Sequence, residues 1–206
     1  MPRCRPKSEP RFNPTSVWRR RRVPLRTFAL PGLIMLAGLL AAGWSWPWQS
    51  TTKPTWPDIR RSIVEHYPRV AAVTTDELAR WLDDPGRVHP LLLDVRTRAE
   101  YGVSHLPGAV WAETATQQRA ALANQPANRP VVLYCSVGWR SAQAADRMQV
   151  RGGRTVFNLD GSIFQWANEN RPVVGPGEKP TPLVHPYNRD WGSLLDRRRW
   201  SYDPAL

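Results

Sequence analysis

The chain has 206 residues, 29 Lys plus Arg against 17 Asp plus Glu, a formal net charge of +12 and two cysteines. That length holds one ordinary domain with extensions, and two cysteines exclude a disulfide-stapled framework. The charge is localised: residues 1–26 carry nine Lys plus Arg and one acidic residue, a net of +8, which leaves only +4 for the rest. Nucleic acid is therefore not an expected partner of the domain.

Thr27–Thr52 contains no charged residue, and Phe28–Trp44 is a continuous apolar run, FALPGLIMLAGLLAAGW. At about 1.5 Å per residue, this run with Ser45–Trp48 reaches roughly 25–31 Å, the thickness of one bilayer core. Arg19–Arg22 and Arg26 flank one end; Trp44, Trp46 and Trp48 sit at the other. A positive cluster opposite an aromatic belt predicts a single span of a bacterial inner membrane, N-terminus cytosolic and the domain periplasmic. The same order of parts fits a signal peptide cleaved near Ala41-Ala42-Gly43, or a buried helix. Beside such a segment the arginines serve topology or anionic lipid rather than nucleic acid. The expected organisation is a basic cytosolic arm (1–26), a transmembrane helix or uncleaved signal anchor (27–48), a linker (49–68), a domain (69–175) and a C-terminal extension (176–206).

Within the linker Asp58–His66 reads as a short helix, and after it Val70–Val73 reads as a strand. Thr74 and Glu77 form a capping box that opens a helix through Leu82. Leu91–Val95 and Ala109–Trp111 follow as strands, Thr114–Asn124 as a helix, and Val131–Cys135 as a buried strand. Ser141 is expected to cap a helix carrying Ala142, Ala144, Ala145 and Met148. Thr155–Leu159 and Ser162–Asn168 complete the alternation. The pattern predicts an α/β fold with an open, largely parallel five-stranded sheet flanked by helices and preceded by one transmembrane helix. The tail Val184–Pro204 is too apolar for a disordered segment. Packing on the domain is its expected fate; covering the Cys135 loop, or meeting a partner or lipid through Arg197–Arg199, are the alternatives.

The segment VVLYCSVGWRS, Val131–Ser141, carries the chemistry. An apolar strand delivers Cys135 to a short loop ahead of a helix, where backbone N–H groups and the positive helix end favour a thiolate. Gly138 permits the turn, Ser136 and Ser141 supply hydroxyls, and Arg140 supplies a permanent cation. Val137 and Trp139 complete the loop. Trp139 reads either as a lid or protein contact, or as packing against a neighbouring loop. A buried structural cysteine is the plain alternative for Cys135. Cys4, in the basic arm, would lie across the membrane and cannot pair with it.

Four motifs in order resemble the rhodanese family over roughly Val70–Val174. Leu91–Arg96 is LLLDVR. Glu100-Tyr101 precedes Ser104-His105-Leu106-Pro107-Gly108-Ala109. Tyr134–Ser141 is YCSVGWRS, and Leu159-Asp160-Gly161 with Trp166 closes the set. The resemblance implies a sulfurtransferase in which Cys135 is the catalytic nucleophile and Ser136, Val137, Gly138, Trp139, Arg140 and Ser141 cradle a persulfide. A sulfane sulfur would pass from thiosulfate or a persulfide to a thiol or cyanide acceptor, with no cofactor and no metal. A protein donor or acceptor and the lipid bilayer are further expected partners. A non-enzymatic protein-binding or sulfur-relay module is the alternative.

Arg140 stands five positions after Cys135, one fewer than in rhodanese-like phosphatases, so phosphatase action is disfavoured. Two departures from the family pattern are Ser136, where a basic residue often follows the cysteine, and Ser162, where a second glycine is usual. His105, Asp94 and Arg96 read as scaffold; Asp160 is placed near the pocket without an assigned role.

Overall fold

The computed structural model describes residues 53–150 and 153–203. The basic arm and the expected membrane span fall outside them. Among the described residues no helix is long and apolar enough to cross a membrane.

The chain runs α1 (Trp56–His66), β1 (Ala71–Val73), α2 (Thr75–Asp83), β2 (Leu91–Asp94), α3 (Arg98–Val103), β3 (Val110–Trp111), α4 (Ala115–Ala123), β4 (Val131–Tyr134), α5 (Trp139–Val150), β5 (Val156–Leu159), α6 (Ser162–Asn168) and α7 (Arg189–Gly192). The strands form one sheet in the order β1-β5-β4-β2-β3. Every pairing is parallel. β4 is the central strand, and both β2 and β4 are buried along their whole length. That burial explains their unbroken apolar runs, because helices cover both faces of a parallel sheet.

Successive side chains on β4 then enter different layers. Val132 and Tyr134 join the core that contains Leu78, Trp81, Ile163 and Phe164. Val131, Leu133 and Cys135 face the other layer, with Ala144 and Ala145 of α5. The small alanines let α5 lie close to the sheet directly after the cysteine.

Local capping fixes where each helix starts. Thr74 with Glu77, Thr97 with Glu100 and Thr114 with Gln117 all form reciprocal capping boxes. The first was expected; α3 and the other two boxes were not. α5 begins at Trp139, so Ser141 lies inside its first turn and does not cap it. The physical reason is Gly138, whose φ of +107° turns the chain sharply enough to start the helix three residues earlier.

Two segments outside the alternating core are docked on it. α1 interrupts the expected linker: Pro57 sits at its start, Ile59 is buried and Ile63 packs on the core. Arg60 holds it down through Asp160 at 2.9 Å and Gln165 at 2.7 Å. The C-terminal extension packs as expected. Val184 and Leu195 are buried, and Trp191, Leu194 and Trp200 lie against the same core. Asn168 at the end of α6 bonds both the Leu194 carbonyl and the Asp196 N–H.

Candidate functional site

β4 ends at Tyr134 and α5 starts at Trp139, so residues 135–138 form the whole turn at the carboxyl end of the central strand. This is where open α/β sheets hold their ligands. Cys135 is 1% exposed. The positive φ of Gly138 aims its N–H back at Cys135 Sγ, 3.2 Å away. A methyl group at position 138 would meet Ile63 Cδ1 at 3.2 Å, so the turn is tight as well as left-handed.

The loop is pinned by the start of α6. Ile163 N–H donates to the Cys135 carbonyl at 3.2 Å, and Phe164 N–H to that of Ser136 at 3.1 Å. Cys135 N–H donates to Ser162 Oγ at 3.1 Å, and that hydroxyl donates in turn to the Leu159 carbonyl at 3.1 Å. Ser162 has φ +48°, a conformation in which glycine is the usual residue. The departure from the family's second glycine is thereby explained: the hydroxyl clamps the nucleophile's own N–H and offsets the backbone strain.

Burial alone would push the Cys135 thiol up. The Arg140 charge, the Ser141 hydroxyl and N–H, and the Gly138 N–H outweigh it and hold the thiol below its ordinary value. The thiolate forms more readily here than on an ordinary cysteine, although the sulfur is almost wholly enclosed. Ser141 thus serves the sulfur, its single hydroxyl proton lying within reach of both Cys135 Sγ and the Gly138 carbonyl, the latter 3.2 Å away.

The Arg140 guanidinium clamps Glu100, Nη1 to Oε2 at 2.9 Å and Nη2 to Oε1 at 2.7 Å. Ser136 closes the ring: its hydroxyl accepts from Arg140 Nη2 at 2.9 Å and donates to Glu100 Oε1 at 2.9 Å. Glu100 also accepts the Thr97 N–H and hydroxyl as the end of its capping box. Burial pushes this carboxylate up, but the Arg140 hydrogen bonds and charge, with Arg96 and Thr97, bring it down to about 2. Ser136 and Arg140 therefore form a supporting girdle around the turn, and Glu100 is its missing member. The pattern Thr97-x-x-Glu100 shows the cap in the sequence; nothing local shows an arginine forty residues later arriving at the same carboxylate.

Val137 and Trp139 both take part in packing. Val137 is part of the core. Trp139 packs edge-on against His66 and Tyr67, with ring centroids 5.1 and 5.4 Å away, as its packing reading expects. Tyr187 of the C-terminal extension lies over the Arg140 guanidinium, 4.9 Å from Cζ to the ring centroid.

The scaffold residues sit as expected. Asp94 and Arg96 form a fully buried, forked pair, with Arg96 reaching on to the Ser104 carbonyl. His105 stacks on Tyr101 at 3.9 Å and bonds Glu178 of the extension at 3.0 Å. Asp160 is engaged with Arg60 on α1.

A family profile for the Rhodanese-like domain matches residues 74–169. A protein named "Sulfurtransferase" from Allochromatium vinosum is 34% identical over 107 residues, covering 52% of this chain and 97% of that protein. A "Probable adenylyltransferase/sulfurtransferase MoeZ" from Mycobacterium tuberculosis is 33% identical over 103 residues, 50% of this chain. The match spans only 26% of the MoeZ protein. Among solved structures, a thiosulfate sulfurtransferase from Pseudomonas aeruginosa is 27% identical with a TM-score of 0.45, covering 55% of this chain and 21% of that one. With the profile match and a relative spanned almost end to end, the chain belongs to the rhodanese-like domain family.

Proposed function

We propose that the protein is a sulfurtransferase in which Cys135 carries a sulfane sulfur as a persulfide between a small donor and a thiol or cyanide acceptor. The observation that carries this reading is the Cys135 thiol itself, held below its ordinary value inside a turn whose Gly138 N–H points at the sulfur from 3.2 Å. The relatives named as sulfurtransferases support the same chemistry. In the first half-reaction the Cys135 thiolate attacks the donor's outer sulfur; the donor S–S bond breaks and its electron pair leaves with sulfite or a thiolate. In the second, an acceptor thiolate or cyanide takes the terminal sulfur and restores the Cys135 thiolate. Splitting the transfer this way gives ping-pong kinetics. The Gly138 and Ser141 N–H groups hold anionic sulfur in both states without moving a proton.

The apolar segment 27–48 with its arginine flank supports a single-pass anchor in a bacterial inner membrane, with the domain in the periplasm. The test of activity is steady-state turnover of the purified protein with donor and acceptor varied together. Parallel double-reciprocal lines that vanish in Cys135→Ser are expected. Transfer that persists in Cys135→Ser contradicts the reading, and partner binding without turnover supports the relay module instead.

A further inference from the structure

The C-terminal extension meets the loop at one residue. Val184, fully buried, and α7 with Leu195 clamp the two ends of residues 185–188. Between them Tyr187 adopts φ +65°, a conformation rarely taken by an aromatic residue. It is held there by its N–H, which donates to His185 Nδ1 at 3.0 Å, and by Asn188, which caps α7. His185 is fixed in turn by edge-on contact with Tyr202 at 5.0 Å. Strain of this kind persists only where the surroundings over-determine it. The result is a phenol ring laid over Arg140.

That ring completes the removal of Arg140 from ligand recognition. A guanidinium has five N–H donors in one plane. One Nη1–H and both Nη2–H groups are used by Glu100 and Ser136. The remaining Nη1–H and Nε–H lie in that plane on opposite edges of the group and cannot together grip one sulfonate. Glu100 pairs with the guanidinium within its plane, and Tyr187 lies over it. Thiosulfate is a dianion that expels sulfite, and beside the Cys135 thiolate it needs a cation that this arrangement has committed elsewhere. A persulfide, R–S–SH, needs only its outer sulfur in the N–H turn.

Resting on the sulfur-transfer reading above, we infer that Tyr187 is a specificity-determining residue that withholds Arg140 from sulfonate donors and makes a persulfide the donor of this site. Cys135–S⁻ forms a bond to the outer sulfur of R–S–SH as the donor S–S bond breaks. The products are Cys135–S–SH and RS⁻, which takes a proton from water. No oxidant or reductant is consumed.

The test is the single-turnover rate at which Cys135 of the full chain gains one sulfur, read by intact mass, with glutathione persulfide and with thiosulfate. In the wild type the persulfide is expected to react at least about tenfold faster. Tyr187→Ala is expected to narrow the persulfide-to-thiosulfate ratio about fivefold, the scale of one cation–π contact, through a faster thiosulfate reaction. Tyr187→Phe, which keeps the ring, should retain the wild-type ratio. A Tyr187→Ala protein that slows with both donors equally has lost only structure, and overturns the inference. Thiosulfate matching the persulfide in the wild type also overturns it while leaving sulfur transfer intact. Failure of Cys135 to take sulfur from either donor removes the underlying reading as well.

Discussion

Glu100→Gln isolates the girdle around the nucleophile. The substitution keeps the shape of the side chain and its contact with Thr97 but removes the charge that Arg140 clamps through two short bonds. Glu100 is held at about 2 against an ordinary 4.5. At about 1.4 kcal/mol per unit, that difference corresponds to roughly 3 kcal/mol of folding stability at neutral pH. The Arg140 side chain is 32% exposed, so solvent screening brings the expected loss to about 2 kcal/mol. The sign follows from proton linkage: the unfolded chain takes up this proton first as pH falls. The contribution is therefore complete above pH ~4.5 and disappears as pH drops toward ~2. Urea unfolding of wild type and Glu100→Gln, measured from pH 7 down to pH 3, checks this directly. The two curves should differ by about 2 kcal/mol at pH 7, and the difference should fall to roughly half of that by pH 3. A constant difference across the range, or none at pH 7, refutes the assignment of Glu100 as a charged partner.

Two further substitutions probe the sulfur itself. Arg140→Gln removes the cation that holds the thiol down, so alkylation of Cys135 by iodoacetamide at pH 7 should slow several-fold and its pH midpoint should rise. Ser162→Ala leaves the Cys135 N–H and the Leu159 carbonyl without a shared partner and keeps the strained φ; a loss of about 1–3 kcal/mol in chemical denaturation is expected.

The central sheet was legible because its signals are local. Unbroken apolar runs at Leu91–Leu93 and Val131–Tyr134 mark strands covered on both faces, and the Thr74–Glu77 box marks a helix start within four residues. The cysteine, its strand and its glycine turn are likewise contiguous. Features made by contacts distant in sequence were not legible. Arg140 meets Glu100 and Tyr187 only because β2, β4 and the extension are brought together, and an isolated arginine in a loop reads as a free cation. α1 was visible as a helix, but its role was hidden, since its ties to Asp160, Gln165 and the rings around Trp139 all lie in the folded form. Ser162 departs from the family pattern in the sequence, and its hydroxyl bridge between Leu159 and Cys135 exists only in the folded form.

The central claim is that Cys135 forms a covalent persulfide. Intact-mass measurement of the protein after brief exposure to glutathione persulfide tests it most directly. The account predicts a gain of about one sulfur atom that is absent in Cys135→Ser and is lost on adding a thiol acceptor, as expected for a covalent intermediate. An unchanged mass in the wild type, or the same gain in Cys135→Ser, contradicts it.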